Sequence, residues 1–140
     1  KALGGSGKGG NAAAAQAVGL TDAISILKMI VGLNVNSGST ALSPYQVVAA
    51  DFNRDGTVGL TDAIDVLKAV VGLTAPSPSW TFLDASKVPT NLTMDSYNSD
   101  TTKALGSAWM SPNMPLNLST TTEVKLVGVL TGDVDGSWAN

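Results

Sequence analysis

The sequence predicts an α+β fold, in which a pair of loop–helix repeats precedes a small irregular β unit. Three observations predict it: a helical pattern that occurs twice, a loop of regularly spaced acidic and amide residues before the second copy, and a later change to Ser, Thr and Asn with strand-like runs. We expect a flexible Gly-rich segment at 1–10, the repeat pair at 11–74, a Pro/Ser linker at 75–79 and the β-rich unit at 80–140.

The repeat predicts the two main helices. Residues 18–33 read VGLTDAISILKMIVGL and residues 58–73 read VGLTDAIDVLKAVVGL, which are identical at twelve of sixteen positions without a gap. A match of this length indicates two copies of one supersecondary unit. Thr21 and Thr61 are the expected N-caps, and Gly32 and Gly72 lie where the two helices are expected to end.

Each copy has apolar residues at helical spacing, and we expect this face to be buried where the two helices pack on each other. The predicted face consists of Leu20, Ala23, Ile24, Leu27, Ile30 and Val31 in the first copy and of Leu60, Ala63, Ile64, Leu67, Val70 and Val71 in the second. A third, shorter helix is predicted at 43–50, with Ser43 as its N-cap and Pro44 at its first position.

The second half of the chain predicts two strands, at 80–83 and 123–130, with proline-broken loops between them. A unit of about 60 residues is small for an independent core, so we expect it to lean on the helical half or on a partner chain. Its tryptophans fit core positions better than a carbohydrate-binding platform; they are Trp80, Trp109 and Trp138. Glycosylation sequons occur at Asn91 and Asn117 at about the frequency that chance gives.

Composition excludes several kinds of functional site. The 140 residues include eight basic and eleven acidic side chains, for a net charge of −3, and neither His nor Cys. Catalytic triads, Cys–His dyads, His-ligated metals and disulfides are therefore excluded. The charge balance does not fit a nucleic-acid-binding face, and no apolar stretch reaches the ~20 residues of a membrane span. Oxygen ligands remain, from Asp, Asn, Ser, Thr and one Glu.

Residues 51–62, DFNRDGTVGLTD, have the spacing of a twelve-residue calcium loop of the EF-hand kind. Ca²⁺ prefers about six to eight oxygen ligands, and alternate positions of a tightly wound loop point inward. The first, third, fifth, seventh and twelfth positions supply them here, the seventh through its carbonyl; these are Asp51, Asn53, Asp55, Thr57 and Asp62. The sequence therefore predicts a Ca²⁺ site, and the alternative is an Asx-rich turn without metal.

The first copy lacks most of these ligands. Only Asn11 and Asp22 remain as side-chain oxygens, because alanines occupy the third and fifth positions. We expect this loop alone to bind calcium weakly or not at all. Near the C terminus, Asp133 and Asp135 begin a similar pattern that stops before any helix. They form a possible second metal site with Asn11 and Asp22, or else a polar turn after the last strand.

Residues 11–73 form a duplicated loop–helix unit, whose second copy has the pattern DxNxDGxV…TDAxxxLK. This unit resembles the dockerin type I family. The resemblance implies two loop–helix units without the entering helix of a complete EF-hand, and docking to a cohesin β-sandwich on a partner protein. It also implies partner contacts at the tenth and eleventh loop positions, although a core position is the better interpretation of Leu60. Those residues are Leu20, Thr21, Leu60 and Thr61.

These features predict a non-enzymatic, extracellular or cell-surface module that binds Ca²⁺ and docks to a cohesin-like partner. One alternative is a self-assembling structural subunit of an extracellular filament, sheath or surface layer rigidified by calcium, in which the strand at 123–130 completes a neighbour's sheet. Another is an accessory part of a secreted enzyme whose catalytic residues lie elsewhere.

Overall fold

A computed structural model of the chain describes residues 16–100 and 125–139. Within these residues, helices and one two-stranded antiparallel sheet confirm the α+β prediction. The helices are α1 (Leu20–Ile30), α2 (Pro44–Ala50), α3 (Leu60–Val70) and α4 (Met94–Ser99), with a short 3-10 helix at Ser137–Ala139, and the strands are β1 (Trp80–Asp84) and β2 (Leu126–Leu130). The predictions for 1–10, Asn11, Trp109 and Asn117 lie outside the described residues.

The N-caps of α1 and α3 are glycines, two residues before the predicted Thr21 and Thr61. In each helix the aspartate three residues after the glycine accepts the glycine N–H, at 2.8 Å in α1 and 2.9 Å in α3. The prediction of threonine caps was wrong because each helix begins one residue before its threonine, so Thr21 and Thr61 lie inside the first turn. The negative charge of Asp22 and Asp62 lies where the helix dipole favours it.

The predicted helix ends are confirmed. Gly32 and Gly72 have φ values of 74° and 78°, the left-handed conformation that glycine adopts readily. The N–H of Leu33 donates to the carbonyl of Lys28 at 2.8 Å, and α3 has the same bond at the same distance. This six-to-one bond is the Schellman motif. Helix α2 begins at the predicted proline and is capped by Ser43.

Helices α1 and α3 pack against each other, but the predicted apolar face is wrong in most of its members. Of that face only Ala23 and Ala63 are fully buried, and Ile30 is half-buried. Its larger residues are between 36% and 68% exposed; they are Leu20, Ile24, Leu27, Val31, Leu60, Ile64, Leu67, Val70 and Val71. Leu60 is therefore not a core residue.

The buried aspartates explain how the two helices are rotated. Asp22 points inward, so residues four and seven positions later, Ile26 and Met29, lie on the same buried face. In α3, Val66 lies four residues after Asp62 and is likewise buried. The apolar stripe beside this buried face on each helix is consequently exposed to solvent. We call Leu20, Ile24, Leu27 and Val31, with Leu60, Ile64, Leu67 and Val71, the exposed stripes.

One hydrophobic core takes side chains from both halves of the chain. Ile26, Val47, Phe52, Val58 and Val66 from the helical half pack with Leu83, Leu92, Tyr97, Val129 and Val134 from the C-terminal half. Strands β1 and β2 pair with Trp80 opposite Leu130. Trp80 also meets Trp138 edge-to-face, with ring centroids 5.2 Å apart. The C-terminal half thus packs on the helical half, one of the two supports expected of it.

Gly132 lets the chain that leaves β2 pass close to this core. Its φ is 89°, and its N–H donates to the carbonyl of Ala49 at 2.7 Å. A Cβ atom at this position would lie 2.8 Å from the ring of Phe52 and 2.9 Å from a methyl group of Val18. Conformation and space therefore both require glycine here.

We expect Gly132→Ala to lower the free energy of unfolding by about 2 to 5 kcal/mol, since overlap with two buried side chains adds to left-handed strain. Gly38→Ala is the matched control, because Gly38 is also left-handed (φ 63°) but has no atom within 4 Å of an added Cβ. It should lose only about 1 to 2 kcal/mol. Urea unfolding measures both, and equal losses would contradict the close packing of Gly132.

Candidate metal centres

The loop that joins α2 to α3, residues 51–62, is called the contiguous loop below. Asn53 Oδ1 accepts the N–H of Asp55 at 2.8 Å, and Asp55 Oδ1 accepts the N–H of Thr57 at 2.8 Å. Two successive Asx turns therefore wind the loop. Gly56 follows with a φ of 90°, as the predicted sharp turn requires.

Asp62 closes the contiguous loop from the first turn of α3. The residue is 1% exposed, and its Oδ1 accepts the N–H of Asn53 at 3.2 Å while Oδ2 accepts that of Gly59 at 2.9 Å. Burial raises the pKa of Asp62 to about 6, although the two backbone bonds oppose the shift. The twelfth position is thus hydrogen-bonded to the start of the loop.

Asp51 has an oxygen that suits a bound cation. It is 3% exposed, and its Oδ2 accepts the hydroxyl of Tyr97 at 2.8 Å and the N–H of Gly56 at 3.0 Å. Its Oδ1 is buried and has no hydrogen-bond partner in the described part of the chain. Burial raises the pKa of this carboxyl. An unpartnered buried carboxylate oxygen is costly, and a metal ion at this point would supply the missing partner.

Asp55 lies at the rim of the contiguous loop. It is exposed, and its Oδ1 accepts both the N–H and the hydroxyl of Thr57, the latter at 2.6 Å. The backbone N–H of Asn53 thus bonds to Asp62 across the loop, while the Asp55 carboxylate bonds to its own neighbour. Among the described residues, the carboxylates of Asp51, Asp55 and Asp62 are not one of the groups whose oxygens all lie within 4.8 Å of one another.

Three aspartates from distant parts of the chain meet at a second place, called the split site. Within residues 16–100 and 125–139, the group of three acidic residues whose carboxylate oxygens lie within 4.8 Å of one another is Asp22, Asp133 and Asp135. Asp22 and Asp133 are 1% and 7% exposed. Such a cluster can hold a metal ion. Sequence spacing had pointed first to the contiguous loop, yet the tighter carboxylate cluster is here.

The segment 133–138 repeats the hydrogen bonds of the first half of the contiguous loop. The backbone N–H of Trp138 donates to Asp133 at 3.2 Å, as the sixth residue of the contiguous loop donates to the first at 3.0 Å. The backbone N–H of Ser137 donates to Asp135 at 2.9 Å, as the fifth residue of the contiguous loop donates to the third at 2.8 Å. Asp135 donates its N–H to Asp22 at 3.0 Å, as the third does to the twelfth at 3.2 Å.

The split site therefore has the hydrogen-bond pattern of the contiguous loop, assembled from two pieces of the chain. The first half comes from residues after β2, and the second half comes from residues that lead into α1. Ser137 Oγ lies 2.8 Å from the carbonyl oxygen of Ala17 and 3.2 Å from Asp133 Oδ1. Ala17 corresponds to the seventh position of the contiguous loop. The sequence-based prediction did not include Ser137 or Ala17. Ser137 occupies the fifth position counted from Asp133, and Ala17 aligns with Thr57 when the two copies are superposed, so both positions could have been identified from the sequence. The predicted ligand Asn11 lies outside the described residues.

Burial also controls the charge of Asp22. It raises the pKa of this carboxyl to about 6, against opposing backbone hydrogen bonds from Asp135 and Gly19, and the neighbouring carboxylates of Asp135 and Asp133 add to the rise. In the absence of a cation, Asp22 therefore retains its proton to a higher pH than an ordinary aspartate does. A cation would reverse this shift.

The four residues that the dockerin resemblance implied for partner contact are all exposed. Leu20 and Leu60 are 56% and 59% exposed, and Thr21 and Thr61 are also exposed. They lie beside the capping glycines, at the ends of α1 and α3 that face the two candidate metal sites. The structure thus leaves these residues accessible next to each site.

Comparisons of the chain with protein-family models, with curated proteins and with solved structures find no match. Among the described residues, no helix has the length and apolar character needed to cross a membrane.

We expect the metal-free protein to lose stability as the pH rises from about 4 to about 7. The folded pKa values of Asp22 and Asp62 are about 6, against an ordinary value of 3.8. The native state therefore retains protons that the unfolded state has released, and its stability falls as the pH rises through that interval. Bound calcium competes with these protons, so it should stabilise the protein more at pH 7 than at pH 5.

Urea unfolding in chelator-treated buffer at several pH values tests this expectation. Asp22→Asn with Asp62→Asn is the control, because the amides do not titrate, so the difference between parent and control isolates these two groups. A parent that gains stability relative to the control over this interval would contradict the assignment.

Proposed function

We propose that this chain is an extracellular or cell-surface module that binds two Ca²⁺ ions and docks, through the helix pair that they stabilise, to a cohesin-type β-sandwich. The observation that carries the proposal is the gathering of Asp22, Asp133 and Asp135 at the split site, two of them buried. Gathered carboxylates repel one another, and buried ones are costly unless a cation neutralises them.

Calcium fits the ligand chemistry better than other metals. Without His or Cys, the chain offers only oxygen ligands, which favours hard cations. Ca²⁺ accepts about six to eight oxygens in flexible geometry, whereas Mg²⁺ demands a near-ideal octahedron and retains its waters. Loops that combine carboxylates, amides and carbonyls suit the larger ion. The proposed ligands are Asp51, Asn53, Asp55, Thr57 and Asp62 in the contiguous loop, and Asp22, Asp133, Asp135, Ser137 and Ala17 in the split site.

Each ion would stabilise the fold in a different way. The ion in the contiguous loop joins a loop to the helix that follows it. The ion in the split site joins α1 to a segment 112 residues further along the chain. Binding free energy then becomes folding free energy, about 2.7 kcal/mol for each site when free calcium is a hundredfold above its dissociation constant.

The exposed stripes support a docking role. Monomeric proteins rarely expose large contiguous apolar patches, and those that do usually bind something there. The two stripes are identical residue for residue, whereas the repeat differs between its copies at Ser25, Ile26, Met29 and Ile30. In the first copy the first three of these are buried and the fourth is half-buried, whereas Val70, which matches Ile30 in the second copy, is 44% exposed. Exact identity of the two stripes is expected if both serve one common partner surface.

One observation favours the alternative of a self-assembling structural subunit. Within the described residues the sheet has two strands, so β1 and β2 each have one edge without a strand partner. An exposed edge can pair with a strand from another molecule. Oligomer size therefore distinguishes the two functions: calcium-dependent homopolymers favour the subunit, and a monomer that binds a β-sandwich favours the module.

Native mass spectrometry with calcium should show two ions bound to the parent chain. Asp22→Asn and Asp62→Asn should each remove one ion, because each amide replaces the charged group that closes one site. Asp95→Asn is the control, since Asp95 is exposed on α4 and should leave both ions in place. A parent that binds no calcium, or an Asp22→Asn variant that still binds two ions, would contradict the proposal.

Ile24→Lys and Ile64→Lys should change stability by less than about 1 kcal/mol, since both residues are over 40% exposed, yet abolish docking. The comparison is Ile26→Ala, at 0% exposure, which should lose about 2 to 5 kcal/mol. Binding to an immobilised cohesin-type domain and light scattering of the chain alone test both candidate partners. Unchanged binding and unchanged oligomer size in both lysine variants would contradict a docking role for the stripes.

A further inference from the structure

We infer that Tyr97 and Asn98, consecutive residues of α4, are positioning residues for the metal ion of the contiguous loop. They belong to the C-terminal half of the chain, and they fix the direction of two ligands supplied by the helical half. The inference rests on the proposed function, because it needs calcium in that loop. It adds residues that the loop's own spacing does not identify.

Tyr97 acts on the first ligand. Its side chain is 2% exposed, and its hydroxyl donates to Asp51 Oδ2 at 2.8 Å across 46 residues of sequence. The same oxygen accepts the N–H of Gly56 at 3.0 Å. With two donors on Oδ2, the carboxylate presents Oδ1 to the interior of the loop, and Oδ1 is the buried oxygen without a partner in the described residues. The tyrosine hydroxyl thus selects the oxygen that faces the ion.

Asn98 acts on the seventh ligand through the residue beside it. Its Oδ1 accepts the N–H of Val58 at 2.7 Å, and its Nδ2 donates to the carbonyl of Val58 at 3.0 Å. One side-chain amide therefore pairs with both backbone groups of the eighth loop position, as a neighbouring strand would. These two bonds also define which way the amide is turned.

The bond to Val58 determines where the carbonyl of Thr57 points. That carbonyl and the N–H of Val58 belong to one planar peptide unit, in which the two groups point in opposite directions. Because Asn98 holds the N–H outward, the Thr57 oxygen is directed toward the loop interior. The C-terminal half therefore prepares two ligands of the contiguous loop before any ion arrives.

Calorimetric titration of the full-length chain with CaCl₂ tests the inference. Asp22→Asn serves as the background, so that only the contiguous loop is left to bind. Adding Tyr97→Phe removes one hydroxyl and retains the ring, and it should raise the calcium dissociation constant about 10- to 100-fold. Tyr45→Phe, a half-buried tyrosine on α2, is the matched control and should change the constant less than about twofold.

Two further measurements separate positioning from packing. The calcium-induced shift of the carboxylate stretching band should differ between the background and Tyr97→Phe, since Asp51 then presents a different oxygen, and should be the same for Tyr45→Phe. Asn98→Ala should also weaken calcium binding about tenfold or more. In an Asp62→Asn background, which isolates the split site, neither Tyr97→Phe nor Asn98→Ala should change the dissociation constant.

The outcomes distinguish the inference from the proposed function. If the Asp22→Asn background binds calcium and Tyr97→Phe and Asn98→Ala leave its affinity and infrared band unchanged, the inference is wrong and the proposed function stands. If the parent and both backgrounds bind no calcium, the proposed function fails and the inference with it.

Discussion

The burial of one carboxylate in the first turn of each long helix is the constraint on which the rest of the structure depends. Asp22 and Asp62 are each 1% exposed, and each accepts the N–H of its own capping glycine. Asp62 also accepts a backbone N–H from the contiguous loop, and Asp22 accepts two from the segment after β2. Burying a carboxylate in this way fixes the start of the helix and its rotation together. The apolar side chains that follow at four and seven positions enter the core, and the exposed stripes are turned to solvent.

The same constraint joins the two halves of the chain. A buried negative charge needs donors or a cation, and both sites obtain part of that support from the C-terminal half. At the split site, the segment after β2 supplies Asp133 and Asp135 as well as two N–H groups to Asp22. At the contiguous loop, α4 supplies the hydroxyl that holds Asp51. Both candidate metal sites are therefore built by residues from the two halves of the chain.

Local patterns predicted the parts of the fold that depend on local chemistry. The repeat, the closing glycines and the Ser43–Pro44 start each specify a helix boundary through backbone chemistry, and Asn53 and Asp55 specify the turns of the contiguous loop. The rotation of α1 and α3 was not predictable by periodicity, because apolar residues occupy both faces: Ile24 faces solvent and Ile26 the core. Thr21 failed as an N-cap because α1 begins one residue before it, with Gly19 at the N-cap position.

Long-range pairing explains the remaining differences. Asp133 and Asp135 were visible as the beginning of a loop, but only the folded chain shows that Asp22 completes it. Tyr97 and Asn98 have no sequence signal, since their role depends on a contact across some 40 residues. A crystal structure of the chain grown with calcium tests the central claim most directly, through the anomalous signal of the ions. The account predicts two ions, one within 51–62 and one bound by Asp22, Asp133 and Asp135. A single ion, or a second ion bound without Asp133 and Asp135, would contradict it.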